Sequence, residues 1–165
     1  MTGVQYCPTP IGLLALVSDG EALCRAELVR EARAECPDAV TRTAKRELEE
    51  YFAGKRQEFT VALAAEGTPF QKAVWRALVR VPYGSVVTYG QLAAAIGRPT
   101  ACRAVANALG KNPILIIQPC HRVVAAAGIG GFTGSLDIKR FLLRREAVEF
   151  RENAPFSEKF IFTFS

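Results

Sequence analysis

Thr88-Tyr89-Gly90-Gln91, Gly97-Arg98-Pro99-Thr100 and Ala101-Cys102-Arg103-Ala104-Val105-Ala106-Asn107-Ala108-Leu109-Gly110 read as two short helices joined by a tight turn. Thr88 is placed to cap the first helix, with Gln91 three residues on to close the cap, and the helix runs to about Ile96. The second helix runs from Ala101 to Leu109 and Gly110 ends it. Two short helices around a glycine-containing turn form a helix-turn-helix. The second helix carries four alanines and one long basic arm, Arg103. Such a thin rod can approach a nucleic-acid groove closely, and a lone arginine can enter the base stack or clamp a phosphate. The same alanines would also suit a tightly packed core helix, so the charge around them has to decide.

That charge is strongly uneven. Residues 1–70 carry 8 Lys/Arg and 11 Asp/Glu, a net of −3. Residues 71–145 carry 11 Lys/Arg against a single acid, Asp137, a net of +10. A basic block of this kind favours a polyanion, and nucleic acid is the commonest one.

The flanking segments complete the layout. Thr68-Pro69-Phe70-Gln71 combines an N-cap threonine, proline in the first turn and a capping glutamine, opening a helix that carries Val74, Trp75, Leu78 and Val79. Before it, Ile11–Val17 and Ala22–Val29 read as strands joined by Ser18-Asp19-Gly20. Ala44, Leu48, Tyr51 and Phe52 mark a helix face stopped by Gly54, and Phe59, Val61 and Leu63 alternate as a third strand would. The expected organisation is a small α/β domain over residues 1–65, a mainly helical domain over 68–146, and a tail over 147–165. The alternating aromatics of Phe160-Ile161-Phe162-Thr163-Phe164 suggest a strand or a docking segment, without an assigned role.

Pro119-Cys120-His121-Arg122-Val123 carries the chemistry. His121 is the only histidine in the chain and directly follows a cysteine, between two strand-like apolar runs, Ile114–Ile117 and Val123-Val124. A thiol becomes a strong nucleophile when a base removes its proton, and a neutral imidazole does this at neutral pH. On an extended strand the two side chains would face opposite ways. Either the chain turns sharply at Pro119-Cys120 or a water links ring and thiol. Further on, a helix from Ser135 to Glu146 is expected to bury Ile138, Phe141 and Leu142, with Lys139, Arg140, Arg144 and Arg145 around the rest. Glu146 projects from the apolar face, where a carboxylate needs a partner, and His121 suits it.

Five cysteines at irregular spacing argue against a complete disulfide framework and for a reducing, cytoplasmic setting. Cys7, Cys24 and Cys36 could in principle hold a metal or a disulfide. No Cys-x-x-Cys pair occurs, and no metal or other cofactor is expected. No run approaches the ~18 apolar residues of a membrane span, and the N-terminus lacks a secretion-signal pattern.

With Asn112-Pro113 upstream of Pro-Cys-His-Arg-Val and a Gly-Gly-aromatic segment downstream, the chain resembles the O6-alkylguanine-DNA alkyltransferases, strongly over residues 68–146 and in general layout before that. The resemblance implies a ribonuclease H-like α/β domain followed by a winged helix-turn-helix-like one. It implies a monomer that binds double-stranded DNA through the minor groove, flips out an alkylated guanine and moves the alkyl group to its own cysteine, once and irreversibly. O4-alkylthymine stays open as a second substrate. By this resemblance Cys120 is the acceptor, His121 the base acting through a water, Glu146 its orienting carboxylate, Asn112 a hinge, and Tyr89 the group that rotates the target phosphate and protonates the departing guanine. Arg103 takes the place of the flipped base, with Gln71, Arg98 and Ala101 as further DNA contacts. Val123, Phe132 and Thr133 line or close the pocket. Gln118 departs from the branched apolar residue usual at its position. A lesion-binding, non-catalytic relative is the alternative, but such proteins lack the acceptor cysteine.

Overall fold

The computed structural model describes residues 2–132 and 134–165. These divide into two compact units. The first holds the residues up to Glu66 together with Pro113–Leu115, and the second holds Gly67–Asn112 and Ile116–Ser165.

The first unit is a three-stranded antiparallel sheet in the order β1 (Gly3–Thr9), β2 (Gly12–Ser18), β3 (Leu23–Val29), with one helix, α1 (Ala39–Phe52). The Ser18-Asp19-Gly20 turn falls between β2 and β3 as read. Gly3, Gln5 and Pro8 interrupt the apolar pattern of β1, so its strand character does not show in sequence. α1 buries Ala44, Leu48 and Tyr51, and Gly54 ends it at a φ of 75°. Leu63 makes only an isolated bridge to Leu23, so the expected Phe59–Leu63 strand does not form. A buried acid holds that segment instead. Glu47, fully buried on α1, accepts from the backbone N–H groups of Thr60 and Val61 and pairs with Arg56 at 3.3 Å. Backbone donors bound to a side chain are not available to a sheet ladder.

The second unit contains α2 (Pro69–Leu78), β4 (Val87–Thr88), α3 (Tyr89–Ala95), α4 (Cys102–Gly110), β5 (Val123–Val124) and α5 (Leu136–Arg145). Both capping boxes expected from sequence are present, at Thr68/Gln71 and Thr88/Gln91. The indole of Trp75 on α2 donates to the Ala108 carbonyl of α4 at 2.9 Å, fixing the second helix of the helix-turn-helix. α4 buries Val105, Ala108 and Leu109 and exposes Cys102, Arg103, Ala104, Ala106 and Asn107. The alanines thus serve both readings, with small residues packed inside and a low-relief face outside.

α5 is rotated relative to expectation. Lys139, Leu142 and Leu143 are buried, while Phe141 is 40% exposed. Residues 139, 142 and 143 stand at i, i+3 and i+4, one helical face. The Ile114–Ile117 run is likewise not a strand. Ile114 makes one bridge to Ala26 within the first unit, and the chain then turns with Ile116 at a φ of 70°.

The tail packs within the second unit. Val148 and Phe156 join Val86, Val124, Ile129 and Leu143 in a buried cluster, and Phe150, Phe160 and Ile161 pack against it. Val86 donates its N–H to the Phe160 carbonyl at 2.8 Å and accepts from the Phe162 N–H at 2.9 Å, so the Phe160–Phe162 run adds to the strand edge beside β4. Among the described residues no helix is long and apolar enough to cross a membrane.

Candidate active site

The second unit gathers the motif residues around one open cavity of about 240 Å³, lined by Tyr89, Ala106, Leu109, Gly110, Cys120, Gly131 and Phe132. Cys120 is 5% exposed. It begins a single 3₁₀ turn, Cys120–Arg122, that leads into β5. The chain therefore turns sharply after Pro119, yet the turn does not bring His121 Nδ1 into hydrogen-bond contact with the thiol.

Behind the thiol lies a buried charge network. His121 and Glu146 are almost fully enclosed, and the imidazole Nε2 lies 2.7 Å from Glu146 Oε2. Arg122 clamps the same carboxylate with Nε at 2.8 Å from Oε1 and Nη2 at 2.9 Å from Oε2, and donates Nη1 to the Val81 carbonyl. The Gly84 N–H adds a bond to Oε1 at 3.2 Å. Burial opposes ionisation of Glu146, but the hydrogen-bonded imidazole and guanidinium outweigh it and hold the carboxyl well below the usual range. Burial, partly offset by Glu146, pushes the His121 ring below its ordinary pKa, so it is neutral at neutral pH. An ionised carboxylate only accepts, so Nε2 carries the ring proton and Nδ1 is the bare, basic nitrogen. Nδ1 is buried and has no hydrogen-bond partner among the described residues. Burial raises the Cys120 thiol, while a hydrogen bond from the Asn112 side chain and the Lys139 charge act to lower it.

Lys139, a lysine that the helix pattern puts around the polar side of α5, turns inward. It is fully buried, and its ammonium donates to the carbonyls of Val123 at 2.6 Å and Gly131 at 2.8 Å. It thereby ties both ends of the Val123–Gly131 segment to α5. Burial lowers its pKa to about 8. Its spacing to Leu142 and Leu143 was the available signal. Arg122 was missed although it lies inside the motif, because nothing in sequence shows which basic side chains turn inward. With these two buried and Arg140 paired to Asp137 and Glu152, the basic surface is smaller than composition suggests, though Arg98, Arg103 and Lys111 are exposed around α4.

Tyr89 opens α3 at the cavity rim, and its hydroxyl oxygen accepts the Gly131 N–H at 3.1 Å. Gly130 holds a φ of 77°, and a Cβ there would meet the Tyr89 hydroxyl at 2.9 Å. A Gly130→Ala chain therefore suffers both backbone strain and displacement of Tyr89. We expect its single-turnover transfer to slow by about tenfold or more, for a stability loss of about 1–2 kcal/mol, read by quenched-flow rates beside urea unfolding. An unchanged rate would show that the Tyr89 position is immaterial.

The remaining candidates divide. Asn112 is buried beside the motif, and Phe132 lines the cavity. Arg98 and Arg103 are exposed, and Ala101 is the N-cap position of α4. Gln71 is occupied in its capping box, accepting the Thr68 N–H at 2.9 Å. Val123 is not on the cavity wall. It is fully buried in β5, paired with Val87 of β4, and its carbonyl accepts from Lys139. Thr133 lies outside the described residues.

Comparison with known proteins gives the family. The 6-O-methylguanine DNA methyltransferase models match in two parts, the ribonuclease-like domain over residues 4–65 and the DNA-binding domain over 69–148. A methylated-DNA–protein-cysteine methyltransferase of Methanosarcina acetivorans is 47% identical over 146 residues, covering 84% of this chain and 94% of that relative. The chain belongs to the 6-O-methylguanine DNA methyltransferase family. The constitutive methylated-DNA–protein-cysteine methyltransferase of Bacillus subtilis is 39% identical over 156 residues, covering 87% of this chain and 94% of that relative. A crystal structure of Mycobacterium tuberculosis OGT in complex with DNA matches with a TM-score of 0.79 at 41% identity, covering 87% of this chain and 91% of that one. A two-unit methyltransferase fold, with a small antiparallel sheet domain followed by a helical DNA-binding domain, is thus established for this chain.

Proposed function

We propose that this protein repairs DNA by direct reversal, transferring the alkyl group from O6 of guanine to its own Cys120. The observation that carries the reading is Cys120 at the wall of an open cavity, backed by a neutral imidazole whose proton-bearing nitrogen is held by an ionised carboxylate. His121 Nδ1 takes the thiol proton through one water. The sulfur attacks the alkyl carbon in line, the S–C bond forms as the C–O6 bond breaks, and the electron pair returns to the guanine. Tyr89, whose oxygen already accepts from Gly131, supplies the proton to the departing base. A base can reach this sulfur only when rotated out of the duplex. The low-relief face of α4 suits the minor groove, where sequence readout is weak, and Arg103 on that face suits the gap a flipped base leaves. The protein acts as a monomer, and a cytoplasmic setting suits its five free thiols.

A thioether is chemically stable, so each chain acts once. Incubation with a duplex containing O6-methylguanine, followed by intact-mass spectrometry, should add about 14 Da, one methyl for one proton, and stop there. Transfer well beyond one methyl per chain, or none, would overturn the reading.

A further inference from the structure

Between α4 and the 3₁₀ turn, Asn112 and Gln118 form a closed pair that the mechanism above does not use. Asn112 Nδ2 donates to the Gln118 backbone carbonyl at 2.8 Å, and Gln118 Nε2 donates back to Asn112 Oδ1 at 2.8 Å. Both side chains are buried. A backbone carbonyl can only accept, so the nitrogen of the Asn112 carboxamide must face it. The second bond fixes the oxygen on the opposite side. The Gln118 carbonyl also accepts the Cys120 N–H at 2.8 Å, which anchors the turn that carries the sulfur.

We propose that Gln118 is a positioning residue for alkyl transfer: its side-chain amide locks the Asn112 carboxamide with the NH₂ group turned toward the Cys120 sulfur, where it stabilises the thiolate. This rests on Cys120 being the acceptor. Burial raises the Cys120 thiol, and the Asn112 side chain acts against that rise, the sense that favours the thiolate. Were the amide to rotate by half a turn, its oxygen would face the sulfur and disfavour the anion. The Gln118 donor penalises that rotation, because Nε2 would then meet an NH₂ group in a buried place. A branched apolar residue at position 118 has no such donor, so this chain carries a lock on its asparagine that an apolar side chain there cannot supply.

The other titratable groups facing Cys120 are His121 within the same turn, Lys139 from α5 and Tyr89 across the cavity. All three are retained in the test. Gln118→Met keeps length and burial but removes the donor. Its rate of Cys120 modification should be followed against pH in two ways, with the O6-methylguanine duplex and with iodoacetamide, which needs no DNA. The expected result is a midpoint raised by about half a unit to one unit in both, with the rate at neutral pH down about three- to tenfold. Asn112→Ala should raise the midpoint by itself, and adding Gln118→Met to it should add nothing.

A residue that merely supports the fold would lower the unfolding midpoint and leave the pH midpoint in place. An unmoved pH midpoint in Gln118→Met overturns the proposal, as does a further shift on the Asn112→Ala background. Should the unmodified chain take no methyl from the duplex while the iodoacetamide midpoint still responds to Gln118, the repair reading fails and the lock stands.

Discussion

A chain carrying Cys120→Ser is expected to take up no alkyl group from an O6-methylguanine duplex, while its affinity for DNA stays within about threefold of the unmodified chain. A hydroxyl holds its proton far more tightly than a thiol, and the neutral His121 ring cannot remove it to a useful extent. The substitution is nearly isosteric, so the cavity, the Asn112 contact and the charge network behind the turn keep their shape. DNA affinity is unaffected because phosphate contacts supply most of it, and the exposed cations around α4, Arg98, Arg103 and Lys111, are untouched. Intact mass and fluorescence anisotropy read the two halves of this expectation. Full methyl uptake by the serine chain would move the acceptor elsewhere, and Cys102, exposed on α4, would be the first candidate.

The second large effect is expected from Glu146→Ala. Glu146 is bonded to both His121 and Arg122, and all three are buried. Removing it leaves a guanidinium buried without its counter-ion, at a cost of about 3–5 kcal/mol. The ring also loses the acceptor that keeps its proton on Nε2, so Nδ1 is no longer held as the base. Urea unfolding at neutral pH should show the stability loss, and single-turnover transfer should fall by about a hundredfold or more in the fraction still folded.

The acid limb gives an independent reading of the same carboxylate. The folded Glu146 pKa lies below the ordinary carboxylate value of 4.5, so the unfolded chain binds more protons there as pH falls. The stability this group contributes is therefore complete above about pH 4.5 and is lost as pH falls below that toward the depressed folded value. The alanine chain should lack this part of the acid dependence. An alanine chain as stable as its parent, with the same acid limb, would show that the network carries no weight.

Local chemistry made much of the second unit readable. Thr68/Gln71 and Thr88/Gln91 announced two helix starts because capping depends on residues only three apart. Cys120 and His121 announced themselves by rarity and adjacency. What sequence could not show were choices settled by distant partners. Phe59–Leu63 alternates like a strand, yet Glu47, remote in the chain, takes its backbone donors. Lys139 looks like solvent-facing charge until the carbonyls of Val123 and Gly131 are seen to receive it. Phe141 looks like core and points out, because the helix spends its inward face on Lys139, Leu142 and Leu143 instead. Ile114–Ile117 has the composition of a strand, but its positive φ at Ile116 lets the chain reverse before Pro119.

The tail, unassigned by sequence, has a consequence for solubility. β4 is paired with β5 through Val87, and its neighbour Val86 directs its polar backbone groups to Phe160 and Phe162. A bare strand edge recruits other chains, and this one borders an apolar cluster that Val148 and Phe156 help to seal. Proteolytic clipping after Val148 would uncover hydrogen-bonding template and greasy surface together. Its product would tend to self-associate and precipitate, even with every cavity-lining residue intact.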